Sequence, residues 1–166
     1  MIEQETASII KYVLDNSGNP APYYYSVPQN FIVPAAYFPI PEITTRGETF
    51  RTFACEFAWF IKFFHNTTQE AYQRAYAALS AIKAARDLIP LIKQDGTLEG
   101  SGLWMRNPEV NQVDDGAVQL ILRWISRRPY NDLKYLKMMK WYTNDDWLKS
   151  PQYQQPKLPD DIAEQI

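Results

Sequence analysis

TFRTFACEFAWFIKFF, residues 49–64, is the stretch on which the fold turns. Its apolar residues fall on odd positions, Phe53, Cys55, Phe57, Trp59, Ile61 and Phe63, while the even positions include Thr52, Glu56 and Lys62. Side chains of a β-strand alternate between two faces, so this period-two pattern predicts a long strand with one apolar and one mixed face. Arg46-Gly47-Glu48, just before it, reads as a turn.

Working outward, the period changes to that of a helix. In HNTTQEAYQRAYAALSAIKAARDLIP, residues 65–90, Thr67 and Glu70 have the spacing of a capping box. Tyr72, Ala75, Tyr76, Leu79 and Ile82 mark one face, Lys83 and Arg86 suit the negative end of the dipole, and Pro90 bars continuation. This is the long central helix. A short apolar piece, LIPLI, leads to a turn at Lys93-Gln94-Asp95-Gly96-Thr97. Leu103–Arg106 then reads as a strand, 107–116 as a loop, and Ala117–Ile125 as a second strand with Val118, Leu120, Leu122 and Trp124 on one face and Gln119 and Arg123 on the other. The two strands predict a long hairpin.

Upstream, Ile2, Thr6, Ile9, Ile10, Val13 and Leu14 recur at helical steps, and the helix stops at Asn16-Ser17-Gly18-Asn19-Pro20. Residues 20–41 carry prolines at 20, 22, 28, 34, 39 and 41 among many aromatics. They predict short edge strands or an extended arm, lying on the domain's own sheet or on a neighbouring subunit. NDLKYLKMMKWYTNDDW, 131–147, predicts a C-terminal helix, and 148–166 a polar tail. The expectation is one α+β domain over 1–147: a mainly antiparallel sheet with a long hairpin, packed on one long central helix, plus N- and C-terminal helices.

Composition narrows the chemistry. A chain of 166 residues can bury a real core, and its net charge of −2 gives no broad basic face for nucleic acid and no acidic solvating tail. Cys55 is the single cysteine, which excludes an intramolecular disulfide and a cysteine-rich zinc site and suits a reducing compartment. The N-terminus lacks the pattern of a secretory signal, and no apolar run approaches a membrane span. We expect a soluble protein with no cofactor and no bound metal.

An enzyme reading finds little support. Cys55 and His65 on one extended strand would be roughly 33 Å apart. Asp114-Asp115, Asp145-Asp146 and Asp160-Asp161 read as solvated turn formers. No phosphate-cradling or nucleophile-elbow motif occurs. A nucleic-acid module has more to recommend it, because Arg123, Arg127 and Arg128 lie near Trp124 and Tyr130, and Lys134, Lys137 and Lys140 follow. The third class is a structural interaction protein, since aromatics and arginine are enriched at interface cores. Candidate contact residues are Arg123, Arg127, Arg128 and Tyr130, with Tyr23, Tyr24, Tyr25, Phe31 and Tyr37 of the aromatic arm. Intramolecular salt bridges and burial within the domain are the competing uses for them.

Several stretches together resemble the tail terminator proteins of bacteriophages and prophages of Gram-positive hosts. They are FIVPAAYFPIPEITTRGETFRTFACEFAWFIKFF, the long helix ending in IPLI with its KQDGTLEG turn, GLWMRNPEV and DDGAVQLILRWISRRPY. The resemblance spans about residues 24–142 and rests on element order and on phrases such as VPAAYFPIPE and GAVQL. It implies a non-enzymatic virion protein, assembled in the host cytoplasm. Such a protein forms a homohexameric ring that caps the head-proximal end of the tail tube and stops its polymerisation. Its implied partners are the tail tube protein and a head–tail connector or collar, with DNA passing through the ring without tight binding. No membrane is involved.

Overall fold

The computed structural model describes residues 2–131; the expected C-terminal helix from Asp132 on, Lys134, Lys137 and Lys140, and the domain boundary at 147 lie outside the described residues. The elements are α1 (Ile2–Asn16), β1 (Ala21–Tyr24), β2 (Ala35–Phe38), β3 (Glu42–Gly47), β4 (Thr52–Phe64), α2 (Thr68–Ala84), β5 (Leu88–Ile92), β6 (Leu98–Trp104), β7 (Glu109–Asp114) and β8 (Ala117–Pro129). This is the α+β class that the alternating pattern predicts.

Two long strands form the spine. β4 and β8 pair antiparallel from Thr52 opposite Pro129 to Phe64 opposite Ala117, without interruption. Outside β8 lies β7, also antiparallel. The other edge of β4 is shared: β3 runs along residues 53–58 and β2 along 62–64, with β1 parallel to β2 beyond it. β5 and β6 form a separate two-stranded ribbon.

The register brings the odd residues of β4 and the even residues of β8 onto one face. There Phe57, Trp59, Ile61 and Phe63 meet Val118, Leu120, Leu122 and Trp124, all buried in one cluster with Ile9 and Val13 of α1 and Ala71, Ala75, Ala78 and Ile82 of α2. Phe57 and Trp124 stack at 4.7 Å with planes 4° apart, and Trp59 closes on Trp124 at 6.2 Å. Both helices and the small ribbon, through Ile89 and Leu103, therefore cover the same face of the large sheet.

Local physics explains where elements stop. Thr67 caps α2, accepting the Glu70 amide at 3.3 Å while its hydroxyl donates to the Glu70 carboxylate at 2.8 Å. The closing turn after α2 puts Arg86 and Asp87 at positive φ, and Lys83 pairs with Asp87 at 2.9 Å. At the β7–β8 turn Gly116 has φ +71, and a Cβ there would come within 2.7 Å of the His65 carbonyl oxygen.

Three details depart from the sequence reading, and one alternative it left open is resolved. The long hairpin is β7–β8, so its first arm is Glu109–Asp114, taken above for a loop; Leu103–Trp104 instead ends β6 and pairs with β5. Residues 109–114 hide their strand nature because they are mostly exposed and polar, at an edge. Arg46 and Gly47 belong to β3, and the reversal falls at 48–51. On α2, Tyr72 and Tyr76 are exposed and stack on each other at 6.0 Å, while Ala71, Ala75 and Ala78 take the sheet side, where small side chains permit a close helix–sheet approach. The aromatic arm lies on its own sheet as β1 and β2, with Tyr37 donating to the Tyr25 carbonyl at 3.1 Å.

Candidate functional site

Among the described residues, no helix lies over the second face of the large sheet. Its residues follow from the register: Glu56, Ala58, Phe60, Lys62 and Phe64 of β4, Gln119, Ile121, Arg123, Ile125 and Arg127 of β8, Glu109 and Asn111 of β7, and Glu42, Thr44 and Arg46 of β3. Ionic pairs cross it. Arg46 meets Glu56 at 2.7 Å, Arg123 meets Glu109 at 2.6 Å, and Arg127 grips Glu48 with Nε at 2.7 Å and Nη2 at 3.0 Å. A shallow hollow of about 220 Å³ opens among Glu42, Thr44, Glu56, Ala58, Arg106 and Arg123.

These pairs set the electrostatics. Hydrogen bonds from Arg127 hold the Glu48 carboxyl below its ordinary 4.5, with the charges of Arg127, Arg46 and Arg106 adding to the effect. The same pair raises Arg127 in turn. A bidentate arginine–carboxylate contact fixes geometry as well as charge, so Arg127 presents a defined, half-neutralised surface. No cluster of His, Cys, Asp or Glu suited to a metal ion occurs among the described residues.

The structure sorts the predicted contact residues into two groups. Arg123, Arg127, Phe31 and Tyr37 belong with the open face: Tyr37 pairs in register with Lys62, and Phe31 packs on Phe64 at 5.0 Å and edge-on to Tyr23 at 6.3 Å. Arg128, Tyr24 and Tyr130 belong elsewhere. Tyr24 stacks on buried Phe38 at 5.9 Å, and Tyr130 packs at a tilt against Phe53 at 5.2 Å. Arg128 reaches under the sheet, its Nη2 3.7 Å from Glu5. Tyr25 stands exposed at positive φ beyond β1.

Glu5 is what the sequence reading missed. Only 3% exposed, it accepts from Trp124 Nε1 at 3.0 Å and from Ser126 Oγ at 2.7 Å. The signal was its place four residues before Ile9, on the stripe that α1 buries. Cys55 and His65 lie at opposite ends of β4's path: Cys55 is buried, and His65 sits beyond the strand, its Nδ1 2.6 Å from Glu70 at the start of α2. They form no dyad. No helix among the described residues is long and apolar enough to cross a membrane.

No protein-family model matches the chain. It is 34% identical over 109 residues to the uncharacterized protein YqbJ of Bacillus subtilis (strain 168), across 65% of this chain and 74% of that one. It is 29% identical over 130 residues to the phage-like element PBSX protein XkdJ of the same strain, across 78% of this chain and 88% of that one. A chain in the solved virion of a native gene transfer agent particle aligns with a TM-score of 0.45 and 16% identity, across 78% of this chain and 97% of that one.

Proposed function

This chain belongs to the same family as YqbJ of Bacillus subtilis, and from its likeness to the phage-like element PBSX protein XkdJ we propose that it is a non-enzymatic structural protein of a phage or phage-tail-like particle. Its role is that of a tail terminator: a ring, six-fold in the family that the sequence resembles, that caps the head-proximal end of the tail tube, stops its polymerisation and joins it to a head or collar. The phage-like element named for XkdJ supports the setting. The observation that carries the role is the one-sided sheet. Both described helices cover one face, and the other offers ordered ion pairs around the half-buried Phe60 and Ile125, with Ile121 buried between them. Such a mixed, pre-positioned surface suits protein contact with a subunit or the tube.

The rival reading, a nucleic-acid module, loses ground on charge. Arg123, Arg127 and Arg128 each have a glutamate partner, Glu109, Glu48 and Glu5. Little net positive charge is left for phosphate, and binding that depends on releasing counterions needs it.

Deleting the gene from its phage or prophage, inducing, and measuring tails by negative-stain electron microscopy tests the proposal. Overlong tubes without joined heads or collars are the expected result; tails of normal length, properly joined, would remove it. Arg127→Glu is the cleaner point probe of the open face, because Arg127 is exposed. Reversing Arg128 would set two carboxylates against each other beneath α1.

A further inference from the structure

The turn between β3 and β4 holds Phe50 wholly in water, at 105% relative exposure. Among the described residues, no ring contact to Phe50 occurs. The turn beneath it is nonetheless tightly held: Thr49 Oγ1 accepts the amides of Arg51 at 3.1 Å and Thr52 at 3.0 Å, the Thr49 amide donates to the Thr52 carbonyl at 3.0 Å, and the Tyr130 amide donates to the Arg51 carbonyl at 2.8 Å. An aromatic on a locked turn loses little freedom on docking, which is the feature of a contact anchor. The outer edges of the large sheet are less inviting: β1 carries Pro22, and the register of β7 breaks between Gln112 and Asp114.

A groove of about 640 Å³ lies between the first turns of α1 and the β5–β6 turn, lined by Glu3, Gln4, Ala7, Ile92, Lys93 and Gln94. Gln4 fixes its wall by donating to the Ile92 carbonyl at 3.0 Å, and the small Ala7 leaves room above the helix. Glu3 on its rim has no ion-pair partner among the described residues, and neither has Arg51 beside Phe50.

We propose that Phe50 of one copy inserts into this groove of a second copy, with Arg51 meeting Glu3. This deepens the ring reading, and rests on it only for the number of copies. Knob and groove are different patches, so each docking leaves one of each free, as a closing ring requires.

The test is sedimentation equilibrium of the full chain up to millimolar concentration, with circular dichroism to verify folding. Phe50→Ala, which alters a side chain fully exposed among the described residues, weakens self-association by about 10- to 100-fold, the value of burying one such side chain. Arg51→Glu and Glu3→Arg each weaken it, and the two together restore it. Oxidised Arg51→Cys/Glu3→Cys chains form cross-linked species that neither single variant gives. A wild-type chain that stays monomeric with no cross-link overturns the contact. So does an oligomer that Phe50→Ala leaves intact, and that outcome leaves the ring reading standing. An open ladder or a closed pair abolished by Phe50→Ala keeps the contact and removes the ring of six.

Discussion

Replacing Glu5 by alanine should cost the protein about 3–5 kcal/mol, the usual penalty for breaking a buried ionic arrangement by removing one partner. The figure follows from what Glu5 touches. Its carboxylate accepts from Trp124 Nε1 at 3.0 Å and Ser126 Oγ at 2.7 Å, and hydrogen bonds to a charged group contribute about 1.5–3 kcal/mol each. Arg128 Nη2, at 3.7 Å, is close enough for charge attraction but makes no hydrogen bond, and its Nε and Nη2 are buried without a hydrogen-bond partner. Glu5→Gln retains a carbonyl acceptor and loses the charge, so its cost is smaller, about 1–2 kcal/mol. Urea unfolding of the full chain reads both. With a slope of about 2 kcal/mol/M, the midpoint falls by roughly 2 M for alanine and by 0.5–1 M for glutamine, with the slope unchanged. A loss under about 0.5 M for Glu5→Ala would refute the reasoning. Equal losses for the two variants would move the whole effect to the charge and sink the hydrogen-bond account. Combining Glu5→Gln with Arg128→Met then isolates the ionic part, which the 3.7 Å separation limits to about 1 kcal/mol of coupling.

Other regions give independent checks. Glu48 has a folded-state value below 4.5, so the stability it contributes is present above that pH and is lost as the pH falls through the lower folded value. The thermal midpoint should therefore drop in that acid range, and Arg127→Ala should flatten this part of the profile; an unchanged profile counts against the pair. Gly116→Ala meets both a positive φ and the His65 carbonyl oxygen at 2.7 Å, and should cost about 2 kcal/mol in chemical unfolding. Thr67→Ala removes the cap of α2 and should cost about 1 kcal/mol, while Thr67→Ser should restore most of it.

Elements with a strong period were legible in the sequence. The odd–even alternation of 53–63 places Phe53, Phe57, Trp59 and Phe63 on their correct face, and the Thr67–Glu70 spacing marks the start of α2 to within a residue. Elements without a period were not. β7 and β3 are exposed along most of their length, so burial left no imprint on them, and only pairing with β8 and β4 makes them strands. The exposed tyrosines of α2 misled for the converse reason. Tyr72 and Tyr76 fit an apolar stripe, but the alanines one step round the helix allow a closer approach to the sheet, and closeness decided which face was buried.

The arginines show where reading residues one by one stops. Alternation along β8 already separates Arg123 and Arg127 from Arg128, because a strand gives neighbouring residues opposite faces. What each arginine does depends on its partner. Arg127 finds Glu48 across 79 residues of chain, and Ser126, its neighbour on the opposite face, finds Glu5 across 121. Those partners arrive only because β3 turns back onto β4 and because α1 crosses the end of β8. A run such as RWISRR therefore reads as a positive patch until the fold supplies its glutamates. Once supplied, they leave Arg127 an exposed, ion-paired group on the open face and make Arg128 part of the fold's own interior.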